Sequence, residues 1–125
     1  AHAAGAIVVA SFHDFEATPG DDQLAEVLAG MNYAGADVLK FACMAHSATD
    51  AARVLGAQAW AHEAYDRPVI GISMGPNGAP TRLVGSALGS AATFATLPGA
   101  EGSAPGQFTV EQVRAVLDIV EGSEV

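Results

Sequence analysis

The stretch DVLKFA at 37–42 decides how the chain is read. Six residues, apolar except at Asp37 and Lys40, are too short for a buried helix and suit a strand buried on both faces. Helical spacing ends just before it: Leu24, Val27, Leu28 and Met31 recur at helical intervals, and Gly35 closes that element. Helical spacing resumes just after it, with Ser47 and Asp50 as a cap signal and Ala51, Val54, Leu55, Gln58 and Ala59 along the helix behind. A strand held between two helices is the repeat unit of a parallel α/β fold.

The same alternation continues in both directions. AIVVAS at 6–11 predicts an earlier strand, and Thr18-Pro19-Gly20-Asp21 the following helix start, with Thr18 as cap. PVIGISM at 68–74 predicts a third strand, opened by Pro68 where a missing N–H is tolerated. A turn-rich segment, 75–81, leads to a short helix over 82–88, and AATF at 91–94 predicts a fourth strand. A Gly-, Pro- and Ser-rich loop covers 96–107, and the last helix starts at Thr109, with Gln112 completing a capping box. About four βα units fit in 125 residues, whereas a closed (β/α)₈ barrel takes about 250. The expectation is a small open doubly wound sheet or half of a barrel.

Composition narrows the function. Half of the residues are hydrophobic, the mean hydropathy is +0.29, and no apolar run approaches the roughly 20 residues of a membrane span. A net charge of -9 argues against nucleic acid and anionic lipid as partners. The single cysteine, Cys43, points to a reducing, cytoplasmic setting and reads as a core thiol. His2, His46 and His62 have no metal-ligand spacing with Cys43, so no metal site is expected, and no glycine-rich nucleotide loop occurs.

Five positions can carry chemistry. Lys40 is the only lysine, and alternation places it with Val38 and Ala42 on one face, opposite Leu39, Phe41 and Cys43. An ammonium sealed among apolar side chains is costly to keep charged, which favours a neutral amine able to attack a carbonyl carbon. A lysine that reaches the strand end, or pairs with Asp37, is an equal alternative. His13, beyond the first strand, shares parity with Ile7 and Val9, which aims it inward at the carboxyl end, where active sites of parallel folds lie. Taken alone it reads as a loop histidine bonded to Asp14 or the backbone. Arg82 could grip a carboxylate with two parallel bonds, though by itself it reads as a solvated helix-start arginine. Ser103 and Gln107 sit in GSAPGQ, either a closing loop or an ordinary connection.

Five motifs in fixed order carry a resemblance: SFHDF at 11–15, GADVLKFACM at 35–44, RPVIGISMGPNG at 67–78, TRLVGSALGSAATF at 81–94 and SAPGQ at 103–107. Together they resemble the C-terminal half of type I 3-dehydroquinate dehydratase, a (β/α)₈ enzyme of the shikimate pathway, over nearly the whole chain. The resemblance implies a cofactor-free syn elimination of water from 3-dehydroquinate to give 3-dehydroshikimate. It assigns the imine-forming lysine to Lys40, the general acid–base to His13, the substrate-carboxylate ligand to Arg82, and the serine and glutamine of the closing loop to Ser103 and Gln107.

It also implies an N-terminal half, absent from this chain, that supplies a glutamate orienting the histidine. An N-terminal half-barrel segment, a second chain completing the barrel, or self-association is therefore expected, with a homodimer as the assembly. Alone, 1–125 should keep the lysine yet lose most turnover. The chain departs from the family pattern at Ala45-His46, Thr81 and Leu88. The competing readings are a Schiff-base aldolase-like barrel and a non-catalytic half-barrel assembly module.

Overall fold

The computed structural model describes residues 2–97 and 107–121. Three parallel strands, β1 (Val9–Asp14), β2 (Val38–Met44) and β3 (Val69–Met74), lie side by side in chain order. The helices α1 (Asp21–Tyr33) and α2 (Ala48–Ala64) link them. After β3 come one turn of helix, α3 (Thr81–Val84), and a tighter turn over Gly85–Leu88, ended by Gly89 in the left-handed region at φ 96°. Two short strands, β4 (Ala95–Thr96) and β5 (Phe108–Thr109), pair in parallel, and α4 (Val110–Val120) follows.

The strand pattern sets the layers. Leu39, Phe41 and Cys43 of β2 and Val69 of β3 face the helices, where they meet Leu24, Leu28, Met31, Val54 and Ala61. Leu24, Leu28, Leu39, Phe41 and Val69 are wholly inaccessible, and burying side chains of this size contributes about 1.5–3 kcal/mol each. Ala42, Ile72 and Met74, flanked by Met44 and Ile70, form a smaller cluster on the opposite face. That inner face becomes polar and open toward β1, where Val9, Ser11 and His13 are exposed.

Local chemistry explains three of the helix ends. The Ser47 hydroxyl accepts from the Asp50 N–H, and Thr109 with Gln112 forms the reciprocal capping box. Gly35 takes φ 83° behind α1, a conformation suited to glycine.

Four expectations need correction. Thr18 does not cap α1: its hydroxyl donates to the Met44 carbonyl at 2.8 Å, while Gly20 occupies the cap position without a side-chain bond. The first strand runs from 9 to 14 instead of 6 to 11, because its polar end continues the ladder with β2 as far as Asp14 opposite Cys43. Helical structure around 82–88 divides into α3 and the tighter turn. The segment expected as the fourth strand, 91–94, forms no regular ladder with β3 among the described residues: the Ala91 N–H donates to the Val69 carbonyl, beside an isolated Val69–Ser90 bridge. Regular pairing comes later, at 95–96, against a fifth strand at 108–109.

Candidate active site

The parallel register brings the inner-face side chains into rows. Ser11, Lys40 and Ile70 share one row, and His13, Ala42 and Ile72 the next toward the carboxyl ends. Ala42 is small, so the Lys40 side chain meets no bulk on its own strand ahead of it. A cavity of about 140 Å³ opens here, lined by His13, Phe15, Lys40, Ala42, Ile72, Met74, Arg82, Phe94 and Gln107. Four of the five site residues expected from sequence therefore border one space. Ser103 lies outside the described residues.

Each side chain has a definite setting. Lys40 is half-buried, with Nζ 4.6 Å from the centre of the Phe94 ring, a cation–π contact. It does not pair with Asp37, whose carboxylate takes the Val8 N–H at 2.8 Å and His2 Nε2 at 2.7 Å. His13 is exposed and stacks on Phe15, with ring centres 5.7 Å apart and planes 7° from parallel. Asp14 instead accepts the Glu16 and Ala17 N–H groups at 3.0 Å, so the expected loop bond between His13 and Asp14 is replaced by ring stacking.

Arg82 overturns its surface reading. Only 5% of it is exposed. Burial pulls its guanidinium below the ordinary arginine value, although the group stays a cation at any physiological pH. Cys43 lies on the opposite face, fully buried, as expected, and burial pushes its thiol up to about 12.

Sequence reasoning missed Phe15, Met74 and Phe94 among the lining residues. Phe15 continues the parity of His13, and Met74 that of Ile70 and Ile72, so alternation could have found both. Phe94 sits in an irregular segment and gives no periodic signal. A larger cavity of about 590 Å³ opens at the amino end of β3, between the end of α2 and the 86–91 turn, and none of the expected site residues borders it. Among the described residues, no three His, Cys, Asp or Glu side chains converge as a metal would require, and no helix is long and apolar enough to cross a membrane.

Comparison with known proteins fits this geometry. The family model for type I 3-dehydroquinase matches residues 1–124. The chain belongs to that family. A 3-dehydroquinate dehydratase of Klebsiella pneumoniae is 41% identical over 121 residues, covering 96% of this chain and 47% of the relative. Among solved structures, the 3-dehydroquinate dehydratase of Geobacillus kaustophilus superposes with a TM-score of 0.92 at 36% identity, over 99% of this chain and 48% of that one. The type I 3-dehydroquinate dehydratase of Clostridium difficile, solved with covalent modified comenic acid, gives 0.88 at 35% identity, over 98% and 48%. This type I 3-dehydroquinase chain thus spans about half the length of the relatives it matches, and its architecture is the C-terminal half of a (β/α)₈ barrel.

Proposed function

We propose that this chain supplies the lysine, histidine and arginine of a 3-dehydroquinate dehydratase, acting within a complete barrel. The observation that carries the reading is the convergence of Lys40, His13, Arg82 and Gln107 on one cavity at the carboxyl ends of the strands. Family membership, and the covalent modified comenic acid of the Clostridium difficile relative, support a site that bonds its ligand.

The chemistry follows from the placement. The Lys40 amine adds to the ketone carbon of 3-dehydroquinate, and loss of water leaves an imine. The imine withdraws electrons from the adjacent carbon, so His13 can remove its proton. The electron pair forms the new C=C bond as the hydroxyl one carbon further leaves as water, taking its proton from His13. Hydrolysis of the imine then frees 3-dehydroshikimate and restores the amine. Arg82 holds the substrate carboxylate, and Ser103 and Gln107 close over the ring, which fixes the reacting carbons between amine and imidazole.

The partner follows from the exposed inner face. Ile7 and Val9 are 75% and 52% exposed, and β1 has a strand neighbour on one side only among the described residues. In this reading an N-terminal half-barrel covers these groups, and the enzyme is a homodimer, cofactor-free and cytoplasmic. Turnover of 3-dehydroquinate by the full-length protein, followed through the ultraviolet absorbance of the conjugated product, tests the reading. Lys40→Met should abolish turnover, and His13→Ala should slow it by about 10²–10⁴-fold. A Lys40→Met protein with parental rates refutes the proposal. Loss of turnover with the aldolase-type cleavage of a sugar phosphate in its place would favour the aldolase-like reading.

A further inference from the structure

One polar side chain in α2 is not explained by its helix. Gln58 is fully buried, although a glutamine ordinarily faces water. Its Nε2 donates to the carbonyls of Gly85 at 2.9 Å and Leu88 at 3.1 Å, and its Oε1 accepts the Gly71 N–H at 3.1 Å. Three backbone groups from two segments thus meet on one amide. Gly71 has the matching shape: a Cβ there would lie 2.6 Å from Gln58 Oε1.

The segments joined in this way form two walls of the cavity. Gly71 precedes Ile72, and Gly85 follows Arg82 by three residues; both Ile72 and Arg82 line the site. A second bond steadies the same piece, as the Thr93 hydroxyl donates to the Arg82 carbonyl at 3.1 Å. The bracket is long-range in sequence but stiff, because a buried amide cannot exchange its partners for water without a penalty.

We infer that Gln58 is a positioning residue that sets how deep the Arg82 guanidinium sits in the cavity. It touches no substrate and acts through the backbone of the 85–88 turn. The inference rests on the reading of Arg82 as the substrate-carboxylate ligand, and the test separates the two.

In the full-length protein, Gln58→Met preserves length and volume but removes the donors and the acceptor. KM for 3-dehydroquinate should rise roughly tenfold while kcat changes less than about threefold, since Lys40 and His13 are held by other strands. With Arg82→Lys already in place, the same change should add less than about twofold to KM, because the two residues act as one unit. Gln58→Glu keeps the acceptor and loses the donors while ionised. Its KM, relative to the parent at each pH, should therefore fall toward one as pH is lowered and the carboxyl protonates. A residue that merely fills space would not follow that pH course. The Glu variant decides the matter should Gln58→Met fail to fold. A parental KM in Gln58→Met, or effects of Gln58 and Arg82 that simply add, overturns the inference. A parental KM in Arg82→Lys removes the carboxylate role from Arg82 and this inference with it.

Discussion

Gly78→Ala provides a stringent steric test of the way Arg82 is held. An added Cβ would lie 2.3 Å from the Ser73 carbonyl oxygen and 2.4 Å from both its carbonyl carbon and its hydroxyl. Ordinary contact begins near 3.4 Å, so a displacement of about 1 Å is required. Ser73 is fixed in β3, paired with Cys43 of β2, and the neighbouring atoms are mostly backbone that cannot rotate aside. The turn must therefore move. Its Gly78 carbonyl accepts both the Thr81 N–H at 3.0 Å and the Thr81 hydroxyl at 2.6 Å, so the start of α3 moves with it and Arg82 follows.

The cost belongs at the upper end of overpacking, about 3 kcal/mol, or roughly 6–12 °C in Tm for a full-length barrel. A misplacement of about 1 Å in the carboxylate ligand should lower kcat/KM by up to about 100-fold at temperatures where the variant is folded. Thermal unfolding by circular dichroism, paired with initial rates, measures both. Gly56→Ala is the control: it lies exposed within α2 with nothing within 4 Å of its added Cβ. Relief of helix glycine should stabilise that variant by about 0.8–1.0 kcal/mol. A Gly78→Ala protein with a Tm within about 2 °C of the parent would refute the reasoning.

Two further outcomes follow from titrating groups. The Val8 N–H, and after it His2, hold the Asp37 carboxyl below its ordinary value. Its stabilising effect is therefore complete above the ordinary carboxylate value near pH 4 and is lost as pH falls through the lower folded value. Urea midpoints from pH 6 down to pH 3 should show this acid loss in the parent and a shallower one in Asp37→Ala; identical slopes would exclude it. Burial holds the Cys43 thiol at about 12, with Asp14 adding to the effect. At pH 8 a thiol reagent should modify the folded protein roughly a thousandfold more slowly than the urea-unfolded protein, through loss of thiolate alone, and equal rates would place Cys43 outside the core.

Features written in local chemistry were legible in the sequence. The Ser47–Asp50 and Thr109–Gln112 caps specify their helices within four residues, and β2 is recognisable because both of its faces are covered. Alternation also placed Lys40 and Cys43 on opposite faces correctly. What escaped depends on distant parts of the chain. Thr18 carries a capping signal, yet the Met44 carbonyl competes for its hydroxyl, and such a contact has no trace in local spacing. The polar end of β1 looks like a loop because an inner face that lines a site is not apolar. Two-residue strands such as β4 and β5 fall below any periodicity. Arg82 reads as a surface residue, since a polar residue at a helix start normally faces water, and the spacing that groups Gln58 with Val54 and Leu55 says nothing of the backbone groups it bonds. The Gln58 bonds form only when β3 and the 85–88 turn pack on α2.

Covalent trapping reads out the Lys40 imine itself. The full-length protein is incubated with 3-dehydroquinate and borohydride, digested, and mapped by mass spectrometry. A reduced adduct should appear on the 35–44 stretch, at the one lysine this chain contains, retained in His13→Ala and lost in Lys40→Ala. An adduct on any other lysine of the full-length protein, or none while turnover proceeds, would contradict it.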